Sequence, residues 1–551
     1  MKRITTIRVI LVGVAVFSLI SYCGFILLRM HGIILDDAYM FLRYAKHWLS
    51  GAGFSWNLGE GPAHGITSVT YLLAVTIVRG LTTLPDTIVL IGISFLAGLA
   101  SVAVLTVMGF AFFKQLRRYW LPLLVIPCVV LGGLFKYHSR TGMETTLAVL
   151  FNSVFVAFVL LFAKRRSITS LVLCLVAAYL SFLTRPDIGL YCLLLPPLFL
   201  VAENVRHWKL GVLYAVTFAM LLCADLLLKK LMFGDFLPLP FFAKSAGFYR
   251  GYLGAHKWNV GHEAFLFFRE SLPYLLVIVY CISWKSLPKI VAILVPMFLT
   301  FGYYAMVTQI MGFFSRYYYP SLPFLIFGAF VAANTYAKER SISRHKEDSL
   351  PLLRSVTAMV LLVVLISTPV EGCIKKAWHH LMIKEPTHFT AQRQYATKAT
   401  GTLPDLDGWR SIHEIDSLPQ HLPQDIVLAA SEYGYIGSQH PAVKIIDLVG
   451  LHDRNIAHHN FSANYLFSKM PDIIWFPHSD YTYAIKEILD SKTFMDNYDF
   501  YPNAYKYGLA VLRNSESSEN IHRILKREFS RIYSGHKMSD YRAEPVASSL
   551  N

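Results

Sequence analysis

Long apolar runs separated by short polar segments fill the first two thirds of the chain. A helix needs about 20 mainly apolar residues to cross a bilayer, within a range of roughly 17–25. Runs of this kind predict about eleven membrane-spanning helices. The predicted spans are 8–28, 87–113, 119–136, 145–163, 168–184, 188–203, 209–231, 271–284, 288–309, 317–336 and 353–370.

A further apolar stretch, 66–82, decides the predicted topology. If it crossed the membrane, the basic cluster at 114–118 and every later basic loop would lie outside, against the usual excess of Lys and Arg in cytoplasmic loops. We therefore expect interfacial helices within 37–82, which lie along the membrane surface. This assignment puts the N-terminus in the cytoplasm and the C-terminal region on the outer side.

The pattern changes after residue 370, where short apolar segments bounded by polar or turn residues replace the long runs. Segments of this type predict buried strands, and the polar or helical stretches between them predict a small sheet covered by helices. The predicted fold class is a polytopic α-helical membrane module over 1–370, followed by a soluble α/β domain over 371–551. The predicted strands cover 425–430, 443–448, 472–476 and 507–512.

Composition supports this division of the 551 residues. Charged residues make up 16% of the chain, against about 25% in ordinary soluble domains, and 55% of the residues are hydrophobic. The formal net charge of +16 belongs to the membrane part, since residues 371–551 hold 19 basic residues against 21 acidic ones. Because no long basic run with interleaved aromatic residues stands outside apolar flanks, we expect no nucleic-acid partner.

The sharpest polar feature is the pair Asp36-Asp37, directly after the first predicted span. Apolar and aromatic positions at helical spacing over 38–50 predict an interfacial amphipathic helix behind the pair. One interpretation makes Asp36 the N-cap of this helix and Asp37 a partner of its dipole. The other makes one of them a general base at the membrane surface. Adjacent helical residues point about 100° apart, so we expect different roles, but spacing alone does not tell which is the base.

Charged residues also stand at the predicted outer ends of later spans. Cations are scarce on that side of a membrane, so Arg185, Lys244 and Arg316 require an explanation. They either extend individually to the interface or together form an anion site, in which arginine offers phosphate a bidentate fork and lysine a point charge. Glu144 and Asp187 are either hydroxyl acceptors for a sugar or ion partners of these cations.

Other motifs, present or absent, limit the classes of reaction that the sequence predicts. His64 lies in a predicted outer loop, where it either lines a site or is simply solvated. None of the 20 histidines forms HExxH or another metal-ligand spacing, and the chain contains no GxSxG, no P-loop and no GxGxxG. Hydrolase and nucleotide-dependent functions therefore lose support. No metal site or other cofactor is predicted, although a divalent cation at the adjacent aspartates stays open.

Several short motifs follow one another along the chain. They are Asp36-Asp37-Ala-Tyr, Arg43-Tyr, Gly51-Ala-Gly53-Phe-Ser-Trp-Asn57, Gly142-Met-Glu144, Thr184-Arg-Pro-Asp187, Ala243-Lys244, Arg316-Tyr-Tyr and Ile446-Asp-Leu-Val-Gly450-Leu-His-Asp453. In this order they resemble the multi-spanning GT-C glycosyltransferases, and most of all the mycobacterial terminal arabinofuranosyltransferases and the pilin-modifying arabinosyltransferases. The resemblance covers nearly the full length of the chain, and it rests on the order of the motifs, since no single one is specific.

This resemblance implies a multi-pass enzyme of the bacterial inner membrane, with its C-terminal domain in the periplasm. Such enzymes transfer a sugar, here with a pentose such as arabinofuranose favoured, from a polyprenyl-phosphate carrier to an envelope glycan, a lipopolysaccharide or a protein. An acidic residue after the first span serves as base in the family, which corresponds to Asp36 or Asp37. The family's contacts with lipid phosphate correspond to Arg185, Lys244 and Arg316.

Glu144, Asp187 and His64 are the candidate substrate-binding residues. The segment 64–67 departs from related chains, so the sugar and the acceptor stay open. A phosphate leaving group requires neutralisation more than protonation, and one base with such a leaving group indicates a single displacement with inversion. The alternatives are a ligase or polymerase of lipid-linked glycans and, in third place, a secondary transporter, which is expected to carry buried charges near the bilayer midplane.

Overall fold

The computed structural model of the protein describes most of the chain. The predicted span 353–370 and the predicted domain boundary at residue 370 lie outside the described residues. The described part is helical from residue 2 to residue 343, and it combines helices with a five-stranded sheet from residue 408 to residue 533. The described residues are 2–28, 34–245, 257–306, 312–343, 408–423, 425–478, 481–502, 504–533 and 542.

Within the described part, seven helices are long and apolar enough to cross a membrane. An eighth crossing results if Gly261–Glu270 and Leu272–Cys281, which are bent by 66° at their junction, count as one broken span. These eight elements coincide with eight of the eleven predicted spans. The seven helices are Thr5–Leu28, Asp86–Phe112, Thr145–Arg165, Pro186–Glu203, Val205–Phe233, Leu287–Met306 and Phe313–Arg340.

Two other predicted elements form shorter helices. The predicted span 168–184 is a helix of 17 residues, Ile168–Thr184. The stretch 66–82, which we expected to lie in the interface, contains a helix of 13 residues, Val69–Leu81. A helix of this length is shorter than the roughly 20 residues of an ordinary span, and its position along the membrane surface stays a prediction.

The predicted span 119–136 is broken. It consists of a 3₁₀ turn, Leu121–Leu124, and two short helices, Val125–Val130 and Gly133–His138. The break lies at Gly132, whose backbone is extended with φ −61° and ψ 142°. Adjacent glycines are poor helix formers, which explains why the apolar run does not continue as one helix.

The helices and strands are numbered in chain order. The helices of the first part are α1 (Lys2–Leu28), α2 (Asp36–Leu49), α3 (Val69–Leu81), α4 (Asp86–Phe112), α5 (Lys114–Arg118), α6 (Val125–Val130), α7 (Gly133–His138), α8 (Thr145–Arg165), α9 (Ile168–Thr184), α10 (Gly189–Glu203), α11 (Trp208–Phe233), α12 (Leu239–Ser245), α13 (Lys257–Glu270), α14 (Leu272–Cys281), α15 (Leu287–Met306) and α16 (Leu322–Ser343). The second part contains α17 (Gly408–Ile415), β1 (Val427–Ala430), α18 (Gly434–Gln439), β2 (Lys444–Asp447), α19 (Arg454–His459), α20 (Ala463–Ser468), β3 (Ile473–Trp475), α21 (Thr482–Asp490), α22 (Lys492–Asn497), β4 (Tyr498–Tyr501), β5 (Leu509–Leu512) and α23 (Ser518–Ile532).

The C-terminal sheet confirms the α/β prediction. Its strand order is β2-β1-β3-β5-β4, with β1 parallel to β2 and β3, and with β5 antiparallel to β3 and β4. Parallel neighbours need crossover connections, which here contain short helices. The four predicted segments contain β1, β2, β3 and β5. The hydrophobic pattern does not predict β4, because Asp499 interrupts the apolar residues of this strand. The buried carboxylate of Asp499 accepts a hydrogen bond from Arg513.

Helix α2 joins the two parts of the molecule through a buried arginine. The guanidinium of Arg43 is fully buried and donates to the backbone oxygens of Trp56, Gly437 and Val443 and to Oδ1 of Asn57, at 2.7 to 3.0 Å. Among the described residues, no carboxylate forms an ion pair with it. Because the guanidinium presents five N–H donors in a fixed fork, these acceptors fix α2 against the sheet domain.

The N-terminal end of α2 makes a second contact with the sheet domain. The carboxylate of Asp36 accepts the backbone N–H groups of Gly434 and Tyr435, at 2.7 and 2.8 Å. A Cβ atom at residue 434 would lie 2.0 Å from the backbone oxygen of Asp36. Glycine is therefore required at this position, because any side chain would push the two parts of the molecule apart.

We expect Arg43→Lys to destabilise the protein by about 3 kcal/mol or more, because several buried oxygens lose a donor at about 1–3 kcal/mol each. Lysine keeps the charge but lacks the planar fork. Thermal unfolding in detergent, followed by tryptophan fluorescence, measures the loss. Arg523→Lys is the matched control, since Arg523 lies exposed on α23. Equal unfolding temperatures for the two variants would contradict this role of Arg43.

Candidate functional site

The start of α2 gives the two adjacent aspartates different surroundings. The helix begins at Asp36 with Leu35 as its N-cap residue, so Asp36 is a first-turn residue and not the N-cap. Both carboxylate oxygens of buried Asp36 accept backbone N–H groups from the sheet domain. By contrast, Oδ2 of Asp37 lies 3.3 Å from Nη1 of Arg316, and 20% of its side chain is exposed. Asp37, not Asp36, therefore lies beside the predicted cations.

Arg185 lies in the break between two apolar helices. Helix α9 ends at Thr184, because the residue before a proline is driven out of the helical conformation, and Arg185 is extended with φ −148° and ψ 106°. Its guanidinium donates twice to Asp187, at 2.6 and 3.1 Å, and once to Glu144, at 3.2 Å. These two carboxylates neutralise Arg185 and hold it in place.

Arg316 follows a strained turn. Phe314 and Ser315 have positive φ angles of 53° and 61°, which L-residues seldom adopt. Glu263 holds the turn: its carboxylate accepts the N–H of Ser315, and its carbonyl accepts the hydroxyl of the same residue. The guanidinium of Arg316 then reaches Glu144, with both carboxylate oxygens at 3.3 Å. Glu144 thus accepts hydrogen bonds from two arginines.

Lys244, on helix α12, is the least neutralised of these cations. Its Nζ lies 3.3 Å from the hydroxyl of Tyr317, and no carboxylate of the described residues lies within ion-pair distance of it. Lys244 lines a cavity of about 160 Å³, which we name the cation cavity. Its lining combines charged residues with apolar and aromatic ones. Its charged lining residues are Glu144, Arg185, Asp187, Lys244 and Arg316, and its other lining residues are Thr67, Pro186, Leu237, Pro238, Pro240, Phe241, Tyr303, Tyr304 and Tyr317.

The structure thus brings five of the predicted site residues to one cavity, with Asp37 in contact with Arg316. His64 lies elsewhere, in the wall of a larger cavity of about 850 Å³. Its ring stacks on Phe233, with the centroids 4.6 Å apart. Burial lowers the pKa of His64 to about 4, so the ring is uncharged at neutral pH.

Three tyrosines line the cation cavity and are absent from the predicted site, and two of them contact its charged residues. Tyr304 donates its hydroxyl to Asp187 at 2.8 Å. The ring of Tyr317 lies 5.3 Å from the guanidinium carbon of Arg185 and 5.9 Å from Nζ of Lys244, distances at which cations and aromatic faces attract. Tyr317 directly follows a predicted cation and could have been included. Tyr304 lies within an apolar run, and nothing in the sequence distinguishes it from a core residue.

The two buried carboxylates of the site differ in their electrostatics. Burial raises the pKa of Asp36 to about 6, although the two backbone donors oppose this shift. Burial also disfavours the charged form of Glu144, but Arg316 and Arg185 outweigh it and hold the pKa of Glu144 below its ordinary value of 4.5. The ion pairs of Glu144 therefore contribute their full stabilisation at pH values above 4.5. This stabilisation is lost as the pH falls through the lowered pKa of Glu144.

A divalent cation does not fit the adjacent aspartates. Both oxygens of Asp36 are taken by backbone N–H groups, and Asp37 is paired with Arg316. Ca²⁺ and Mg²⁺ require about six or more oxygen ligands, which this arrangement does not offer. Across the described part of the chain, no group of three or more His, Cys, Asp or Glu side chains is placed to hold a metal ion.

The apolar helices, the amphipathic helix behind the first span and the small C-terminal sheet domain together define the class of the fold, which is a polytopic helical membrane module followed by an α/β domain. The crystal structure of ArnT from Cupriavidus metallidurans in the apo state shares this fold. Its TM-score is 0.51 at 13% sequence identity, over 92% of this chain and 98% of that chain. At this identity the similarity establishes the fold alone.

Three further comparisons add to this finding. The crystal structure of ArnT from Cupriavidus metallidurans bound to undecaprenyl phosphate has a TM-score of 0.48 and 12% identity, over 91% of this chain and 97% of that chain. A family model for a domain of unknown function, DUF8728, matches residues 398–524, which include the C-terminal sheet. The comparison with curated proteins gives no match.

We expect Glu144→Gln to destabilise the protein, because removing one partner of a buried ion pair costs about 3–5 kcal/mol. The change removes the carboxylate that Arg185 and Arg316 share. Sulfate added at millimolar concentration should therefore raise the unfolding temperature of the variant more than that of the wild type. Thermal unfolding in detergent measures both effects. Glu516→Gln, at an exposed position, is the control. If the variant had the unfolding temperature of the wild type, and sulfate did not change it, Glu144 would not be the carboxylate that balances the two arginines.

Proposed function

We propose that this protein is an integral-membrane glycosyltransferase that transfers a sugar from a polyprenyl-phosphate donor to an envelope acceptor on the outer side of the membrane. The observation that carries the proposal is the position of Asp37 against Arg316, next to a cavity in which cations meet apolar and aromatic walls. The GT-C fold shared with ArnT supports the same assignment. The order of the sequence motifs supports it independently.

The cation cavity suits the phosphate of the donor. Lys244 offers a positive charge with no carboxylate partner among the described residues, and Arg316 offers a second, partly neutralised one. Both arginines pair with two carboxylates, but those of Arg185 are closer, at 2.6 and 3.2 Å against 3.3 Å for both partners of Arg316. We therefore assign Arg185 mainly to positioning. When the bond between the sugar and the phosphate breaks, negative charge grows on the phosphate, and cations that are already in place stabilise that charge without reorganisation.

Asp37 is our candidate for the general base. Its carboxylate is partly exposed and is oriented by Arg316, whereas Asp36 has no free oxygen. In the proposed reaction Asp37 takes the proton from the acceptor hydroxyl while the hydroxyl oxygen bonds to the anomeric carbon. The phosphate leaves from the opposite side with the bonding electron pair, in a single displacement with inversion.

The finer assignments rest on the sequence resemblance and on charge distribution. A pentose such as arabinofuranose is the favoured sugar, and the acceptor is an envelope glycan, lipid or protein. The enzyme belongs in the bacterial inner membrane, with its N-terminus in the cytoplasm. The sheet domain then lies in the periplasm, on the same side as Asp37, to which α2 directly connects it.

We expect Asp37→Asn to reduce sugar transfer by about 10²–10⁴, the usual contribution of a positioned base, while donor binding is retained. Transfer by purified protein is measured from polyprenyl-phosphate pentoses and hexoses to a membrane extract. Asp36→Asn should lower the unfolding temperature more than Asp37→Asn does, and Asp425→Asn, at an exposed position, should match the wild type. Wild-type transfer by Asp37→Asn would remove Asp37 as the base. Failure to bind any polyprenyl-phosphate sugar would remove the donor assignment.

We expect Lys244→Gln to weaken the binding of undecaprenyl phosphate by roughly tenfold or more, because a hydrogen bond to a charged group contributes about 1.5–3 kcal/mol and about 1.4 kcal/mol corresponds to a factor of ten. Binding is measured with radiolabelled lipid and purified protein. Lys230→Gln is the control, since Lys230 lies exposed near the end of α11, where it donates to the carbonyl of Gly234 and does not line the cation cavity. Equal affinities for the two variants would refute the phosphate contact of Lys244.

A further inference from the structure

A larger cavity lies between the loop that joins α2 to α3 and the sheet domain, and the proposed transfer chemistry does not use it. Its volume of about 850 Å³ falls in the range of roughly 300–1,000 Å³ that is usual for small-molecule sites. Its walls come from residues 56–64, residues 233–239 and residues 452–469. We name it the loop cavity. It is built jointly by the membrane part and the sheet domain.

The fixed charges of the loop cavity do not favour an anion. Its lining includes three carboxylates, Glu60, Asp235 and Asp453, and two cations, Arg454 and Lys469. The cation cavity, by contrast, is lined by three cations and two carboxylates. A phosphate group therefore prefers the cation cavity, and the loop cavity suits a ligand that carries many hydroxyl groups and little negative charge.

The polar groups of the loop cavity form a mixed set of donors and acceptors. Asp235 lies 3.0 Å from Nε of Arg454 and 3.2 Å from Nε2 of His458. Asp453 accepts the hydroxyl of Tyr465 at 2.9 Å. Hydroxyl groups both donate and accept hydrogen bonds, so a sugar can bind to such a set, whereas an acyl chain cannot satisfy it.

Two chain segments separate the loop cavity from the cation cavity. In the first segment His64 lines the loop cavity and Thr67 lines the cation cavity. In the second segment Leu239 lines the loop cavity, while Pro238 and Pro240 line the cation cavity. The segments are bonded to each other, since the N–H of Leu239 donates to the carbonyl of His64 at 2.8 Å. The two cavities therefore share a wall.

We propose that the loop cavity binds the carbohydrate part of the acceptor, a sugar rich in hydroxyl groups and without a predominant negative charge. The inference rests on the proposed function, which requires an acceptor on the same side of the membrane as the donor phosphate. The reacting hydroxyl then extends past the shared wall toward Asp37, while the remainder of the acceptor stays in the loop cavity.

The test uses full-length protein in detergent and an array of neutral, carboxylated and phosphorylated oligosaccharides, with no donor present. The neutral oligosaccharide that the wild type binds most tightly is then titrated into each of three variants. Asn455→Trp fills the loop cavity, and His459→Phe removes a polar ring from its lining. His421→Phe makes the same change as the second variant at an exposed position outside the cavity. Thermal unfolding confirms that each variant is folded.

We expect binding of the neutral oligosaccharide to fall about tenfold or more in Asn455→Trp, because the indole takes up space that the sugar needs. We expect a smaller but measurable fall in His459→Phe, because one hydrogen-bonding partner for the sugar is lost. His421→Phe should bind like the wild type. Absence of neutral oligosaccharide binding, binding only of phosphorylated probes, or equal binding by all variants would each overturn the inference.

The same protein preparations separate this inference from the proposed function. Binding of undecaprenyl phosphate and sugar transfer are measured in parallel. If transfer is absent but oligosaccharide binding depends on the loop cavity, the proposed function fails and the carbohydrate site stands. If transfer occurs but oligosaccharide binding does not depend on the loop cavity, the acceptor lies elsewhere and only the inference fails.

Discussion

The buried guanidinium of Arg43 is the interaction on which the arrangement of this molecule depends. It lies on α2, and it donates to Gly437 and Val443 in the sheet domain and to Trp56 and Asn57 in the loop between α2 and α3. Because all of these acceptors are uncharged, no carboxylate has to be buried with it. One side chain thus fixes three regions that are distant in sequence, and the loop cavity lies between two of them.

The direction of Asp37 follows from the same junction. Its neighbour Asp36 is bound to the backbone of Gly434 and Tyr435, which lie 398 and 399 residues away in the chain. With Asp36 turned toward the sheet domain, the next residue of the helix points about 100° away and meets Arg316. The sheet domain therefore acts on the candidate base through its neighbour, so the proposed transfer depends on the attachment of this domain.

The sequence predicted the parts of this structure that depend on local pattern. The apolar runs locate the long helices, and cations at one side of several spans imply a cluster, because helix ends on one side of a bundle lie at the same level. The sequence could not assign separate roles to Asp36 and Asp37, because that choice depends on contacts between distant segments. The polar role of Tyr304 was missed for the same reason, since only its contact with Asp187 distinguishes it from a core residue.

The strained turn before Arg316 connects the proposed phosphate site with the candidate base. Residues held at sparsely populated backbone angles cost about 1–3 kcal/mol each, and here Phe314 and Ser315 are both in the left-handed region. Glu263 offsets this cost by binding Ser315 through its carboxylate and its carbonyl. The guanidinium that follows contacts Asp37 on one side and Glu144 on the other. A change in the turn would therefore move the candidate base and the charge balance of the cation cavity together, so proton removal and phosphate departure in the proposed displacement both depend on one short segment.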